Sequence, residues 1–551
     1  MIKVHLNNND RYYVIEGKMN LGEFLEFSEY KPDNPVLAAK VNNRIRELNS
    51  EIYTDSDIEY ITVENSDGVR IIQRGLIFLL YLSAKKLFPE KKLKVLHSLN
   101  NGLYCELGNW ISEDDLNNLK HEMEELIKSD FEFKKIKLDK REAIEKFREQ
   151  EAEDKLKIFR FRTKSTVSVY KCGNIPLINY FYGYMPPSSG VLKVFDLKLY
   201  GQGFLLLCPT PTSPDKLPEY KDMQKFSQVF LQYQRWGEIL GIETVGDLNK
   251  KIAENRIKEI ILISEALHEK KIAKIAEEIS KYQNKRLLLI AGPSSSGKTT
   301  TAKRLQLQLK ANCINPVSIS IDDYFIDREK TPKDENGNYD FESIDAINLE
   351  LFNKNISDLM DGKEVYLPRY DFKTGKSTIT ERKICIKKDQ PIIVEGIHGL
   401  NEKLSEKISR KNKFKIYVSA LTQLGIDDIN RIPTTDTRLI RRIVRDSWSR
   451  GHNALRTIQM WPSVRRGEEK YIFPYQEEAD IMFSSALVYE LSVLRIYAEK
   501  LLVQISEEHK ENSEAKRLLK FLEYFLPITD KEDIPRNSII REFIGGSIFD
   551  Y

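Results

Sequence analysis

A chain of 551 residues is long enough for several domains, because one domain commonly takes about 100–200 residues. Lys and Arg total 86 and Asp and Glu total 83, so the net charge is only +3, and 41% of the residues are hydrophobic. This balance argues against a disordered chain and against bulk coating of nucleic acid. The longest apolar run, residues 75–82, is far shorter than the about 20 residues of a membrane span. With a polar N-terminus and five cysteines that form no CxxC pair, we expect a cytoplasmic protein without disulfides, structural zinc or a membrane partner.

Short strands and charged helices alternate in the first half. Residues 1–64 contain strand-like segments around the turn-forming NNND and predict a small sheet-rich unit. A helix is predicted over residues 75–87, ended by Pro89, and a strand pair follows around the Asn-Asn-Gly turn of HSLNNGLYCEL. The charged segment 112–150 predicts helix, and four prolines within 209–218 indicate a loop or domain edge.

The second half has a different pattern. An amphipathic stretch over about 245–282 predicts a helical connector. The unbroken apolar run RLLLIAG, beginning at Arg286, is typical of a buried parallel strand, and PVSISIDD, PIIVEGI and FKIYVSA repeat it between helical segments. This alternation predicts a doubly wound parallel sheet, so we expect a multidomain protein of α/β and α+β class.

The segment GPSSSGKT at 292–299 matches the phosphate-binding loop GxxxxGK(S/T), with a strand before it and a helix after it. Its glycines let backbone N–H groups face phosphate oxygens, and the following helix N-terminus adds partial positive charge. The lysine can reach the β- and γ-phosphates, and the threonine hydroxyl can ligate Mg²⁺. Neither a guanine-reading NKxD nor an LSGGQ-like signature occurs, which disfavours a GTPase and a transport ATPase. The predicted ATP-binding residues are Gly292, Pro293, Ser294, Ser295, Ser296, Gly297, Lys298, Thr299 and Thr300.

Two carboxylates follow later apolar strands. Asp322 begins DDYF directly after PVSISI, and Glu395 ends the run PIIVE. Ligands bind at such strand ends in open α/β sheets, and Glu395 is placed like a carboxylate that supports Mg²⁺. Either residue alone is more typical of a solvated strand end, but together with the phosphate-binding loop they favour a functional site.

An arginine stripe follows in DTRLIRRIVRDSWSRG. Four guanidinium groups share one helical face at spacings i, i+3, i+4 and i+7, namely Arg438, Arg441, Arg442 and Arg445. Because only Asp436 and Asp446 lie nearby in sequence, we expect an unpaired face that closes as a lid over a triphosphate. The alternative is an ordinary solvated helix.

Residues from about 285 to 485 contain, in this order, the motifs GPSSSGKT, DDYF, NYDFESIDA, LPRYDF, VEGI and TDTRLIRRIVRDSWSRG. On these motifs, the segment resembles the uridine kinase branch of the uridine kinase/phosphoribulokinase family. The resemblance implies ATP- and Mg²⁺-dependent phosphorylation of a nucleoside 5′-hydroxyl, with uridine as the first acceptor. It implies that Asp322 is the general base. The remaining catalytic residues would be Lys298, Arg438 and Arg441. The implied nucleoside contacts are Tyr324, Phe325, Glu342, Tyr370 and Arg438, and the implied Mg²⁺ ligands are Thr299 and Glu395.

Two positions depart from the family pattern. Gly375 stands where characterised uridine–cytidine kinases carry a base-sensing His, and Arg456 stands where the lid region ends in a base-reading Gln. Phosphoryl transfer is therefore better supported than uridine as the acceptor, and the choice of ATP or GTP as donor stays open.

The N-terminal half resembles two translation-related modules. Residues 1–64 look like a TGS domain, and the segment from about 67 to 207 is similar to the second additional (editing) domain of threonyl-tRNA synthetase. The places of that domain's metal-binding quartet hold Phe78, Leu82, Phe181 and Met185, which are not metal ligands. We therefore expect an apolar pocket without editing chemistry, and structural roles for the isolated His97 and Cys105.

The resulting division of the chain is a TGS-like domain (1–64), an editing-like domain (65–240), a helical connector (241–284), a kinase domain (285–510) and a C-terminal helical tail (511–551). Two functions are compared: an ATP-dependent nucleoside kinase, and an RNA- or ribosome-associated regulator in which ATP is a conformational ligand. A kinase of another small hydroxyl-bearing acceptor is a further alternative. The N-terminal half could bind RNA, sense a small ligand or support an oligomer, and the helical segment 488–505 could be core or interface.

Overall fold

The computed structural model describes residues 1–99, 101–282, 284–334, 337–387, 389–422 and 424–551. Three regions, each built around its own sheet or sheets, follow one another along the chain. We call them the N-terminal region (1–64), the middle region (65–223) and the C-terminal region (285–551). Within the described residues, no helix has the length and apolar character needed to cross a membrane.

The N-terminal region is a small sheet with one helix. Its elements are β1 (Ile2–Leu6), β2 (Arg11–Ile15), β3 (Met19–Asn20), α1 (Leu21–Phe27), β4 (Ala38–Val41), β5 (Arg44–Arg46), β6 (Glu51–Ile52) and β7 (Ser56–Ile61). The main sheet has the order β2-β1-β7-β4-β5, in which β1 and β7 are parallel. Helix α1 begins where it does because Asn20 and Glu23 form a capping box. The sheet-rich unit predicted from the sequence is present.

A long helix, α2 (Ser66–Leu87), connects the N-terminal and middle regions. It ends at the predicted residue but begins earlier than residue 75, because the Asn65 side chain caps it by accepting a hydrogen bond from the Asp67 N–H at 2.8 Å. Its apolar side chains pack in one cluster with Leu37 and Ile61 of the N-terminal region and with the strands that follow. The two regions therefore share a core.

The middle region contains two antiparallel sheets. Its elements are β8 (Leu93–Leu99), β9 (Gly102–Leu107), α3 (Glu113–Lys128), β10 (Phe133–Asp139), α4 (Lys140–Glu149), α5 (Glu153–Arg160), β11 (Thr166–Cys172), β12 (Ile178–Asn179), β13 (Asp196–Tyr200) and β14 (Gly203–Leu207). The sheet orders are β13-β14-β9-β8 and β10-β11-β12. The predicted hairpin around Asn-Asn-Gly is β8–β9, although Asn100 of its turn lies outside the described residues.

The helical prediction for 112–150 is wrong in its centre, where β10 separates α3 from α4. Strand β10 pairs antiparallel with β11 along its whole length, and it buries Phe133 and Leu138 while the lysines between them stay exposed. The charged side chains suggested a surface helix. The segment is a strand because it pairs with β11, which is distant in sequence, and such dependence on neighbours is common for strands.

Three helices lead into the C-terminal region: α6 (Gln224–Leu240), α7 (Val245–Ala253) and α8 (Ile257–Ser280). The last two occupy the predicted connector. Thr244 and Asp247 form a capping box that starts α7. Helix α8 buries Ile272 and Ala276 in the same apolar cluster as Leu305 of the C-terminal region, so it is a packed layer of that region rather than a free linker.

The C-terminal region has a five-stranded sheet of order β16-β19-β15-β20-β21, and every pairing in it is parallel, as predicted. Helices α8 and α9 pack against each other beside it, and β17 and β18 form a separate hairpin. The elements are β15 (Leu287–Ala291), α9 (Lys298–Ala311), β16 (Val317–Ser320), α10 (Leu349–Met360), β17 (Val365–Asp371), β18 (Lys376–Ile384), β19 (Ile392–Glu395), β20 (Lys413–Ser419), α11 (Thr434–Ser449), α12 (Ala454–Tyr471), β21 (Ile481–Ser484), α13 (Glu490–Leu502), α14 (Asn512–Leu522) and α15 (Arg541–Ile544).

The last helices belong to the core. Leu494 and Ala498 of α13 are fully buried, so this helix packs inside the chain. Arg517 of α14 binds the Asp436 carboxylate of α11 with two hydrogen bonds of 2.6 and 2.8 Å. The C-terminal segment is thereby fixed to the helix that carries the arginine stripe.

A buried ion pair joins the middle and C-terminal regions. The Lys155 ammonium lies 2.8 Å from the Asp427 carboxylate, and both side chains are at most 3% exposed. Asp427 also accepts hydrogen bonds from the backbone N–H groups of Ile429 and Asn430. A backbone hydrogen bond of 2.7 Å from Val95 to the Asp428 carbonyl crosses the same boundary. The two halves therefore meet through desolvated polar contacts.

Replacing Lys155 with Ala should lower the free energy of unfolding by about 3–5 kcal/mol, because it leaves a buried carboxylate without its counter-charge. The matched control is Lys157→Ala in the same helix, whose 2.8 Å pair with Asp247 is half exposed and should cost at most about 1 kcal/mol. Urea unfolding followed by circular dichroism measures both variants. Equal losses in the two would contradict the importance of the buried pair.

Candidate functional site

The phosphate-binding loop lies between β15 and α9 and depends on its two glycines. A Cβ on Gly292 would lie 1.9 Å from the Val418 carbonyl oxygen of the neighbouring strand. Gly297 has a φ of +83° and caps α9. The first N–H of α9 to bond within the helix is that of Thr301, to the Gly297 carbonyl at 3.0 Å. The N–H groups before it have no partner within the helix, which is the usual setting for binding an anion.

Lys298 and Thr299 open the helix and face the strand ends. The Lys298 ammonium donates to the Pro293 carbonyl oxygen at 3.1 Å, and burial lowers its pKa while Glu395 and Asp322 oppose that shift. The Thr299 hydroxyl donates to the Glu395 carboxylate at 3.4 Å. The loop lysine, the loop threonine and both predicted carboxylates are thus brought into one site.

The two carboxylates meet because their strands are adjacent in the parallel sheet. Glu395 is the last residue of β19 and stands beside Ser320, the last residue of β16, and Asp322 lies two residues after Ser320. Burial raises the pKa of Glu395 to about 7, and the charge of Asp322 adds to this rise. Burial and Asp322 also raise the pKa of Asp323. The site thus concentrates negative charge that a cation would neutralise.

The donor set at this edge fits Mg²⁺, which prefers hard oxygen ligands in proteins. The Thr299 hydroxyl and the Glu395 carboxylate supply such oxygens, and the raised pKa of Glu395 reflects a buried carboxylate with incomplete compensation. In the part of the chain that the structure describes, no group of three or more His, Cys, Asp or Glu side chains could hold a metal ion. A Mg²⁺ ion here would therefore need phosphate oxygens to complete its shell, as is usual for this ion.

An aromatic cluster includes Phe325, three residues after Asp322. The rings of Phe325 and Tyr370 are 5.4 Å apart, and Phe372 lies 5.9 Å from Phe325 and 5.0 Å from Tyr370. Phe372 is 59% exposed, so the cluster opens to solvent at one end. Tyr324 turns the other way: its ring packs edge-on against Phe352 in the core, and burial raises its pKa to about 12. Of the two predicted pocket aromatics, Phe325 belongs to this cluster and Tyr324 packs in the core.

Glu342 lies against α12, where a Cβ on Gly467 would come within 2.3 Å of the Glu342 Cβ. Burial raises the pKa of Glu342, and Arg442 and Lys298 oppose the shift. Beside it, His398 is fully buried, and burial lowers its pKa to about 4. The charges of the loop lysine and of Asp322 therefore both act on Glu342.

The arginine stripe is not the unpaired lid that the sequence suggested. Helix α11 is buried, and Arg438 and Arg441 are at most 1% exposed. Arg438 forms an ion pair with Glu468, and Arg441 binds the Glu490 carboxylate at 2.5 Å. Arg442 and Arg445 both pair with Asp446, at 3.2 and 2.8 Å. The prediction failed because the acids that pair with Arg438 and Arg441 lie on α12 and α13, far away in sequence.

These buried cations hold the carbonyl groups of the phosphate-binding loop. Arg438 donates to the Ser294 carbonyl at 2.9 Å, and Arg441 donates to the Ser295 carbonyl at 3.3 Å. The Ser485 hydroxyl donates to the Ser296 carbonyl at 2.5 Å. No local motif indicates Glu468, Glu490 or Ser485, so the sequence did not predict them. Their role is visible only in the folded structure: Glu468 and Glu490 pair with the arginines that hold the loop, and Ser485 binds the loop directly.

The two positions that depart from the family pattern lie apart from each other. Gly375 has a φ of +73°, and a Cβ there would meet the Arg328 side chain at 2.8 Å. Arg328 donates from its own N–H to the Gly375 carbonyl and from its guanidinium to the Phe372 carbonyl, at 2.9 and 2.6 Å. An arginine therefore fills the space next to Gly375. Arg456 is exposed in the first turn of α12.

In the middle region, the four positions of the expected metal quartet are buried in one apolar cluster. The rings of Phe78 and Phe181 are 5.6 Å apart. His97 stacks on Phe230 at 3.7 Å, and burial lowers its pKa to about 3. Burial also raises the pKa of Cys105. The quartet positions are filled by packed apolar side chains.

Comparison with known proteins agrees with the kinase-like site. The model of the phosphoribulokinase/uridine kinase family matches residues 287–492. Uridine kinase from Mycoplasma genitalium is 32% identical over 178 residues, which are 32% of this chain and 74% of that protein. Uridine kinase from Saccharomyces cerevisiae is 29% identical over 259 residues, 46% of each chain.

A second similarity is to a different class of protein, an aminoacyl-tRNA ligase. Threonine–tRNA ligase from Alkalilimnicola ehrlichii is 33% identical over 165 residues, which are 29% of this chain and 25% of the ligase. The chain therefore spans a quarter of the ligase and about half of the yeast kinase. The match to the mycoplasma kinase covers most of that protein, and the family model covers the parallel sheet and the phosphate-binding loop. Through this C-terminal region, the chain belongs to the phosphoribulokinase/uridine kinase family.

Proposed function

We propose that the protein transfers the γ-phosphoryl group of ATP to the 5′-hydroxyl of a nucleoside, with uridine as the first candidate. The observation that carries the proposal is the meeting of Lys298, Thr299, Asp322 and Glu395 at one edge of the parallel sheet. The similarity to uridine kinases supports a nucleoside as the acceptor.

In the proposed reaction, Asp322 accepts the proton of the acceptor hydroxyl as that oxygen attacks the γ-phosphorus. The bond between the γ-phosphorus and the β,γ-bridging oxygen breaks, and ADP leaves. Lys298 neutralises charge on the β- and γ-phosphates, and loop N–H groups orient the donor. Mg²⁺, held by Thr299 and Glu395, would supply charge neutralisation between the phosphates.

We assign the acceptor pocket to the aromatic opening beside Asp322. Phe325, Tyr370 and Phe372 offer ring surfaces for a base, and Glu342 offers a carboxylate for ribose hydroxyls. Tyr324 stabilises this pocket from the core. Arg328 fills the space next to Gly375, so it is the candidate to replace the missing His in reading the base.

We propose different roles for the arginines of α11. Arg438 and Arg441 are held in ion pairs beneath the loop, so we propose that they shape it, whereas the resemblance implied direct contact with nucleoside and phosphate. Arg445 is the better candidate for phosphate contact, because its charge acts on Lys298 and its side chain is 13% exposed. Its partner Asp446 retains Arg442 if Arg445 moves.

For the N-terminal half, we propose a TGS-like domain followed by an editing-like domain that has lost its metal site and serves an accessory role. The similarity to a threonine–tRNA ligase also favours a second candidate function, an RNA-associated regulator in which ATP is a conformational ligand. The two differ in whether RNA is needed for turnover.

Replacing Asp322 with Asn should lower kcat by about 10²–10⁴-fold while ATP still binds, because only the proton acceptor is lost. Asp323→Asn is the matched control one residue later and should change kcat by less than about 10-fold. Lys298→Ala should weaken both ATP binding and turnover. Coupled ADP-release kinetics and calorimetric ATP titration measure these effects, and near wild-type turnover in Asp322→Asn would refute its assignment as the base.

Replacing Arg441 with Met should lower the free energy of unfolding by about 3–5 kcal/mol, because Glu490 is then buried without a partner. The double variant Arg441→Met/Glu490→Met should recover much of this loss, since it removes both charges. ATP affinity should fall in both variants because the Ser295 carbonyl loses its donor. Arg445→Met is the control and should cost less, since Asp446 keeps Arg442. Thermal unfolding and ATP titration test these values, and a double variant no more stable than Arg441→Met would contradict the pairing.

A screen of acceptors separates the two candidate functions. Nucleosides, pantothenate-like compounds and sugar phosphates are each incubated with ATP, with and without RNA, and ADP release is recorded. The kinase proposal predicts that a nucleoside raises ADP release at least about 10-fold without RNA. Turnover that rises only with tRNA or rRNA would support the regulator instead. If no acceptor raises ADP release, the kinase proposal fails.

A further inference from the structure

The C-terminal segment, residues 538–551, lies over the start of α9. Ile539 is so close to the phosphate-binding loop that a Cβ on Gly297 would meet its Cγ2 at 2.8 Å. The Trp448 indole donates to the Phe543 carbonyl at 2.6 Å, and the Arg441 guanidinium lies 4.9 Å from the centre of the Phe543 ring. The last helix of the chain is therefore seated between the loop and α11.

One carboxylate of this segment contacts the predicted phosphate site directly. Glu542 accepts a hydrogen bond of 2.5 Å from the Thr300 hydroxyl and a longer one of 3.4 Å from the Thr300 N–H. The Tyr551 hydroxyl lies 2.9 Å from the same Thr300 oxygen. Thr300 is fully buried and Glu542 is 7% exposed, so the contact between these two residues is shielded from water. Both polar groups of Thr300 are thus engaged by the C-terminal segment.

A nucleotide phosphate would need the groups that Glu542 engages. The Thr300 N–H belongs to the first turn of α9, where N–H groups without helical partners bind anions. A carboxylate and a phosphate are both anionic acceptors, so they compete for this N–H and hydroxyl. The charge of Glu542 also acts on Lys298 together with those of Glu395 and Asp322. A third negative charge at this place opposes the arrival of a triphosphate.

We propose that residues 538–551 form an autoinhibitory segment in which Glu542 holds the place of a donor phosphate at Thr300. The proposal rests on the proposed function only in requiring that the loop binds a nucleotide. Its base stays in place, because Ile539, Ile540 and Phe543 are fully buried. Only the Glu542 side chain and the residues after α15 leave the site.

Two features allow the local movement. The Glu542 side chain can turn away by changing rotamer while α15 stays in place. The residues after α15 can swing about Gly545 and Gly546, whose φ values of +80° and +73° favour glycine. The nucleotide and the segment then exclude each other. The apparent affinity for ATP is the intrinsic affinity multiplied by the fraction of molecules in which the site is open.

The test is the affinity for MgATP of the full chain with single substitutions in the segment. Glu542→Gln keeps the size of the side chain but removes its charge, and Glu542→Ala removes the acceptor as well. Both should bind MgATP about 10-fold more tightly than the wild type and show a similarly lower KM for ATP. The matched control is Asp550→Asn, which removes one charge from an exposed position of the same segment and should leave the affinity unchanged. Thermal unfolding of every variant checks that it is folded.

A second measurement follows the segment itself. Hydrogen–deuterium exchange of residues 545–551 in the wild type should rise when MgATP is added, because the nucleotide displaces Tyr551 while α15 stays in place. Adenosine, which has no phosphate, should not cause the rise.

The outcomes are distinct. Unchanged or weaker MgATP binding in both Glu542 variants overturns the proposal, as does hydrogen–deuterium exchange of residues 545–551 that stays constant or falls with MgATP. If no form of the protein binds ATP, both this proposal and the proposed function fail. If the Glu542 variants bind ATP more tightly but no acceptor is phosphorylated, the autoinhibitory segment stands and the nucleoside kinase assignment fails.

Discussion

The carbonyl oxygens of three successive loop residues, Ser294 to Ser296, are held from beneath by Arg438, Arg441 and the Ser485 hydroxyl. Because each peptide unit is planar, fixing its carbonyl also fixes the direction of the N–H on the same unit. The loop is therefore held in one shape before any ligand arrives, which is the preorganisation that phosphoryl transfer requires. Glu468 and Glu490 make this possible, since two buried guanidinium groups without counter-charges would be too costly.

This constraint connects the site to the whole chain. Helix α11 carries the arginines, and Arg517 of α14 binds its first turn through Asp436. The segment just before α11 contains Asp427, which pairs with Lys155 of the middle region. Apolar residues of the middle and C-terminal regions also lie in one cluster. The N-terminal half therefore contacts the segment that leads into the helix that shapes the loop, which gives it a physical route to influence the site whatever it binds.

The sequence analysis succeeded where the signal was local. The phosphate-binding loop, its flanking strand and helix, and the parallel sheet follow from short motifs and apolar runs, and Asp322 and Glu395 follow because parallel strands end at one edge. It failed where a residue or strand distant in sequence determines the local structure. Strand β10 was predicted as helix because β11 lies beyond two helices in sequence, and the arginines looked unpaired because Glu468 and Glu490 are on other helices. The contact of Glu542 with Thr300 joins residues 242 positions apart and has no local signal.

We propose that the chain transfers phosphate from ATP to a nucleoside, and phosphorus NMR can test this claim. The reaction contains the full chain, MgATP and uridine, with no RNA. We expect one equivalent of nucleoside 5′-monophosphate for each ADP formed, with no free phosphate. Repeating the reaction with cytidine, adenosine and guanosine gives the order of acceptors. ADP accompanied by inorganic phosphate, and no phosphorylated nucleoside from any of the four, would contradict the claim.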